Sequence, residues 1–510
     1  MILRQIKCSI LIWLLMHTIL VASYSQNPVV SGPKFTEDAS GARKFELKHI
    51  LYNNADGYLA DAFCDVASKS SNEEKDGVAI NGQEINDTDM QFKVKSTRKE
   101  IIRMADRNPD FVESYLNYAL ELGDFDRLNS MIKLDWKKET ISVPNITDRD
   151  TVLALAMMSS DAYAHLPDDP TWRDVGDKYD LGKGFGWKDR GLRGHIFVEK
   201  RKVSPRVIIA LKGTSAAGIT FGGDSDDAGD TVEDDKINDN LLFSCCCARV
   251  SSLWSTVCDC YEGSSYQCNQ NCIEREMRRP DRYYKAALEI YRNVTAIYPS
   301  SEIWVTGHSL GGALASLLGR TYGLPAVTFE APGELLPSRR LHLPVPPGLP
   351  EQYEYIWHFG NNADPIFLGV CNGASSSCNI AGYAMETQCH SGLVCTYDSV
   401  NDLGWHINML NHRLKKVIDD IIVVYNDTPV CTKPPPCVDC YNWYFIDHSN
   451  EKFGTSLFPT PSSTSLPSGT PTDEPHERKC LKRTWYGKCY KWDDDNDDND
   501  EKYDATSVIN

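Results

Sequence analysis

Ser309 is the residue in this chain best placed to act as a nucleophile. It sits in Gly307-His308-Ser309-Leu310-Gly311, a G-x-S-x-G sequence, after the apolar, β-prone run Ile303-Trp304-Val305-Thr306 and ahead of a small-residue helix beginning near Gly311. A strand that turns sharply into a helix would lift the Ser309 hydroxyl out of a sheet, and glycines on either side are what so tight a turn demands. The turn also places the Leu310 amide at a helix N-terminus, where it can stabilise an oxyanion. A second oxyanion donor is expected at Thr214. It follows the apolar run Arg206-Val-Ile-Ile-Ala-Leu211 through Lys212-Gly213, upstream of the elbow.

A serine hydroxyl needs a base, and the base needs an acid to orient it. Asp364, in Asn361-Asn-Ala-Asp364-Pro365 just beyond the strand-like Tyr355-Ile-Trp-His-Phe359, suits the acid. Two later histidines compete for the base: His406 in Gly404-Trp-His-Ile, and His412 at the entry to Leu414-Lys-Lys-Val-Ile-Asp-Asp-Ile-Ile422. A loop-to-helix junction fixes an imidazole while leaving it accessible, which favours His412. His308, His358 and His390 read as structural. With His412 as base the chain order is Ser–Asp–His, the order found in α/β-hydrolases. The expected chemistry is acyl transfer, which calls for no metal or other cofactor.

These residues require alternating strands and helices. Amphipathic spacing predicts a helix over 151–165, capped by Asp148 or Asp150, and another over 281–298. Residues 195–199, 206–211 and 326–330 read as strands, and 44–52 alternates like one. Residues 96–133 show helical periodicity around Ile101, Met104, Phe111, Tyr115 and Leu122. The expected fold is α/β, of the α/β-hydrolase type, with a Cys-rich insertion between the oxyanion strand and the elbow that could serve as a lid. The expected divisions are 1–24 as cytosolic N-terminus and anchor, 25–149 as an N-terminal luminal region, 150–425 as catalytic core and 426–510 as a Pro/Ser/Thr-rich, acidic tail.

The chain has 510 residues and a net charge of −18, which argues against nucleic acid as a partner and against simple electrostatic docking on anionic membranes. Part of that charge is the run Asp493 to Asp500, a solvated tail by composition. Eighteen cysteines suggest an oxidising compartment and disulfides rather than zinc, because histidines that would complete zinc sites are absent near the Cys-x-Cys and Cys-x₃-Cys pairs. Connectivity is not readable from spacing. The apolar stretch from Cys8 to Ala22, preceded by Arg4 and Lys7, is either a membrane anchor or a cleaved signal, and in both cases the rest of the chain is luminal. Four N-x-[ST] acceptors, Asn86, Asn145, Asn293 and Asn426, fit a luminal chain.

Taken together, Leu211-Lys-Gly-Thr214-Ser215, Asp235-Lys-Ile-Asn-Asp-Asn-Leu-Leu-Phe-Ser-Cys-Cys-Cys247, Val257-Cys-Asp-Cys260, Val305-Thr-Gly-His-Ser-Leu-Gly-Gly-Ala313 and Asn362-Ala-Asp-Pro365 resemble the class 3 lipases. Within them, the likeness is to the fungal vacuolar lipases that break down autophagic bodies. The resemblance covers roughly Lys44 to Cys440 and implies Ser309, Asp364 and His412 as the catalytic set. It further implies an uncleaved signal-anchor, N-glycosylation, and passage through multivesicular bodies to the vacuole lumen. Membrane phospholipids and neutral glycerolipids are the implied substrates, with phosphoinositides as binding partners. Two rivals stand beside it: a serine hydrolase of other scope, such as a thioesterase or protease, and a non-catalytic membrane-binding scaffold.

Overall fold

A computed structural model of the chain describes residues 42–52, 63–65, 92–122, 132–163, 191–199, 204–215, 232–249, 255–263, 266–373, 375–447, 480–483 and 489–492. The apolar segment 8–22, Asn86, the acidic loop of 222–231, the Ser/Thr/Pro stretch and the acidic tail lie outside them. No helix among the described residues is long and apolar enough to cross a membrane.

The chain is an α/β protein built on one eleven-stranded sheet. The strands are β1 (Ala42–Tyr52), β2 (Phe63–Asp65), β3 (Phe92–Met104), β4 (Trp136–Pro144), β5 (Arg193–Glu199), β6 (Val207–Leu211), β9 (Ile303–His308), β10 (Ala326–Phe329), β11 (Ile356–Asn361), β12 (Leu393–Tyr397) and β13 (Cys431–Thr432). Three short strands, β7 (Tyr261–Glu262), β8 (Gln267–Asn269) and β14 (Tyr444–Ile446), form a separate sheet. The order is β13-β12-β11-β10-β9-β6-β5-β1-β3-β4, with β2 paired to β1. The five central strands from β6 to β12 run parallel, and antiparallel strands flank them on both sides.

Parallel sheets need both faces covered, and the period-2 alternation of a strand divides its side chains between two cores. On β6, Val207, Ile209 and Leu211 join the core formed with helices α1 (Pro109–Leu122), α4 (Gln270–Met277), α5 (Tyr283–Ile297) and α6 (Leu310–Tyr322). Ile208 and Ala210 join the other, beneath α2 (Arg149–Asp161) and the helical stretch 414–422. Helix α2 starts where expected: the Asp148 side chain accepts from the Thr151 amide.

Residues 96–133 depart from the helical expectation. Ile101 and Met104 lie on β3, and Ser96 to Met104 pair residue for residue with Pro144 back to Trp136. On a strand, residues three apart point to opposite faces, and Ile101 and Met104 indeed enter different cores, so only the pairing partner decides. The helix is confined to α1, where Pro109 occupies the first turn and the Asn108 carboxamide accepts from the Asp110 amide.

Between β6 and β9 the chain makes the expected Cys-rich insertion, which includes helix α3 (Val232–Phe243). Its three consecutive cysteines diverge: Cys245 bonds Cys440, Cys246 bonds Cys268, and Cys247 bonds Cys258. Cys260–Cys272, Cys371–Cys378, Cys389–Cys437 and Cys395–Cys431 complete the described set. Residues 431–440 are thus stapled to the sheet and to the insertion.

Candidate functional site

The elbow forms as its sequence demands. Ser309 adopts φ 56° and ψ −130°, a strained conformation for a residue with a β-carbon, directly between β9 and α6. Gly307 is needed because a β-carbon there would meet the Gly311 carbonyl oxygen at 2.4 Å. The register places Leu211 of β6 opposite Gly307, so the turn 212–215 arrives beside the elbow. A β-carbon on Gly213 would come within 2.3 Å of the His308 oxygen and 3.2 Å of Ser309 Cβ. Leu310 opens α6, where its amide has no partner within the helix.

The structure brings Ser309, Asp364 and His412 together. His412 Nε2 lies 2.8 Å from Ser309 Oγ, and His412 Nδ1 donates to Asp364 Oδ2 at 2.7 Å. His412 and Asp364 are fully buried and Ser309 is 5% exposed. His406 is exposed, and its carbonyl accepts from Asn411 Nδ2. Burial alone would raise the Asp364 carboxyl. The adjoining His412 ring, a hydrogen bond from Glu330 and the Ile366 amide outweigh it and hold Asp364 below the usual carboxylate range.

Several buried groups that sequence reasoning missed hold this arrangement. Glu330 accepts from both the amide and the carboxamide of Asn361. Burial, reinforced by the negative Asp364 beside it, pushes the Glu330 carboxyl well above its usual range, which favours a protonated group able to donate to Asp364. His308, read as structural, braces His412: its Nε2–H donates to the His412 carbonyl at 2.8 Å, and its Nδ1 accepts from Tyr163 Oη at 2.8 Å. Burial, with the His412 ring nearby, lowers the His308 pKa to about 3.

The 212–215 turn is tied to α3 by the Asp235 to Asp239 motif. Asp235 pairs with Lys212 at 3.3 Å and accepts from the Ser215 amide and from Tyr283 Oη. The Thr214 hydroxyl donates to Asp239 at 2.6 Å. Burial, then the nearby Asp235, raises Asp239 well above its usual range. No local pattern could have revealed these links, which join positions 20 or more residues apart. A pocket of ≈ 390 Å³ opens at Ser309, lined mainly by apolar side chains including Ile366, Ala381, Tyr383, Met385 and Met409.

Of the expected glycosylation positions, Asn426 is exposed, whereas Asn145 and Asn293 are half-buried. Among the described residues, three clusters could hold a metal by proximity. Two contain disulfide-bonded cysteines, which have no thiolate to offer. The third is Glu334, His358 and His390.

Comparison with known proteins narrows the family. Residues 259–339 match the Phospholipase-like family described as Tle-like phospholipase domain. The chain is 57% identical over 481 residues to "Putative lipase ATG15" of Pichia angusta, covering 93% of this chain and 86% of that one. It is 53% identical over 457 residues to the protein of the same name in Candida albicans, covering 80% and 75%. Among solved structures, the native Rhizomucor miehei lipase propeptide complex aligns at 14% identity and a TM-score of 0.23, over 49% of this chain and 68% of that one. With such identity sustained along nearly the whole length, the chain belongs to the ATG15 family of lipases.

Proposed function

We propose that this lipase is a serine hydrolase of the α/β-hydrolase type that cleaves membrane phospholipid and glycerolipid esters inside the vacuole. The observation that carries the reading is the continuous relay from Ser309 through His412 to Asp364. His412 takes the Ser309 proton as the hydroxyl attacks an ester carbonyl. The Leu310 and Thr214 amides receive the tetrahedral oxyanion, and Asp364 steadies the imidazolium. His412 then protonates the departing glycerol oxygen, leaving an acyl-enzyme. Water, deprotonated by the same ring, releases the fatty acid and regenerates the serine. The apolar lining of the adjoining pocket suits an acyl chain.

The reading extends to lysis of autophagic bodies and multivesicular body vesicles. It places the chain as a single-pass type II membrane protein anchored through residues 1–24, with phosphoinositides among its ligands. Residues 150–425 carry the reaction, flanked by a luminal region over 25–149 and a tail over 426–510. N-glycosylation at Asn86, Asn145, Asn293 and Asn426 belongs to the same reading.

Mixed phospholipid and triacylglycerol vesicles incubated with the full chain at acidic pH test it. Free fatty acid should appear, and Ser309→Ala should abolish its release while leaving vesicle binding in place. Vesicle lysis by that variant at the full rate refutes the catalytic reading. Faster turnover of thioesters or peptides than of lipid esters moves the enzyme to another substrate class.

A further inference from the structure

We propose that Glu334, His358 and His390 form a structural zinc(II) site. Glu334 follows the turn after β10 and precedes helix α7 (Leu335–Arg340), His358 lies on β11, and His390 comes just ahead of β12. These residues are 24 and 56 positions from the glutamate, so only the parallel sheet brings them together. Glu334 and His358 are fully buried and His390 is 8% exposed. His358 Nε2 lies 3.3 Å from Glu334 Oε1, and His390 Nδ1 lies 3.5 Å from Glu334 Oε2. One ligand atom from each residue falls within 4.8 Å of the other two.

Hydrogen bonding sets this cluster apart from an ordinary buried ion pair. Glu334 Oε2, His358 Nε2 and His390 Nδ1 are all buried, and the contacts of both rings with Glu334 lack the geometry of a hydrogen bond. The far side of each ring is engaged. His390 Nε2 faces the Phe367 carbonyl at 3.0 Å, and a carbonyl can only accept, so that nitrogen carries the proton. In a neutral ring, Nδ1 then aims a lone pair at a carboxylate oxygen, a repulsive contact that a metal ion or a second ring proton would relieve. His358 Nδ1 is held by the Thr328 hydroxyl at 2.8 Å. The other carboxylate oxygen of Glu334 accepts from Ser316 Oγ at 2.8 Å and from the Ser391 amide at 3.1 Å. Such outer contacts orient the ligands of a metal site.

The two nitrogen–carboxylate separations, 3.3 and 3.5 Å, match the ion. Zinc binds imidazole nitrogen and carboxylate oxygen at about 2.0–2.2 Å, so neighbouring ligands of a tetrahedral site stand about 3.4 Å apart. Two imidazoles and a carboxylate are a ligand set suited to zinc rather than to calcium or magnesium, which take oxygen. The site would clamp β11, the turn after β10 and, through Phe367 and Ser316, the segment after Asp364 and helix α6. The ion has no part in the ester chemistry.

Elemental analysis of the untagged full chain, purified and dialysed at pH 7.5 after exposure to zinc, tests the proposal. About one zinc per chain is expected for the wild type, falling at least tenfold in Glu334→Gln and in His390→Gln. A thermal scan of the wild type supplies a second readout that does not depend on the variants folding. A strong chelator should lower its Tm by several degrees, and zinc, but not magnesium, should restore it. Retention of zinc by both variants places the ion elsewhere and overturns the assignment. A wild-type chain that takes up no zinc and keeps its Tm overturns it as well.

Discussion

Replacing His308 by glutamine should change how the protein's stability responds to acid. The wild-type imidazole is wholly buried between Tyr163 and the His412 carbonyl, and its pKa of about 3 lies far below the ordinary value of about 6.5. The unfolded chain therefore binds a proton between these two values while the folded chain refuses it. Stability contributed by neutral His308 is full above pH 6.5 and is lost progressively as pH falls towards 3. Relative to pH 7, the loss is about 2 kcal/mol at pH 5 and about 3 kcal/mol at pH 4. Glutamine can still donate to the His412 carbonyl but does not titrate. Urea unfolding of both proteins, with disulfides intact, at pH 7, 6, 5 and 4 gives the comparison. The wild type should be the more stable at pH 7, and its advantage should shrink by about 2 kcal/mol at pH 5. A gap that stays constant within about 0.5 kcal/mol across this range would refute the reasoning, because every other titrating group is common to both chains.

Three further outcomes are expected. Asp364→Asn removes the group that fixes the His412 tautomer and should lower kcat by about 10⁴-fold with the fold intact, measured by ester hydrolysis and circular dichroism. Glu330→Ala should lower kcat about 10–100-fold by removing the hydrogen bond to Asp364. Glu330→Gln, which keeps an uncharged donor, should retain most of the activity; equal losses would mean that Glu330 is not neutral. Replacing Cys245 and Cys440 together by serine opens a 195-residue loop and should cost about 2–5 kcal/mol in denaturant unfolding.

What could be read from the residues was local. The elbow needs only a strand, two glycines and a helix in sequence, and the Asn-Ala-Asp-Pro turn likewise announces Asp364. A loop-to-helix junction favours His412 over His406 by leaving its ring accessible, yet the fold buries His412 and exposes His406; contact with Ser309 and Asp364, not accessibility, sets His412 apart. The supporting groups were invisible because their meaning lies in partners far away along the chain. Tyr163 sits 145 positions from His308, and the Glu330 carboxyl is raised only once the fold buries it and brings Asp364 beside it. Ile101 and Met104 misled for the same reason, since β4 decides that they form a strand. The Asp235 to Asp239 motif was singled out by resemblance alone. In the fold it braces the turn that carries Thr214.

The divergent fates of Cys245, Cys246 and Cys247 constrain the order of assembly. As the chain is made, Cys246 and Cys247 meet their partners within 22 and 11 residues. Cys245 must wait for almost two hundred more. Throughout that interval it is a loose thiol beside two young disulfides, well placed to attack either. The native set therefore closes only after the last strands of the sheet have been made.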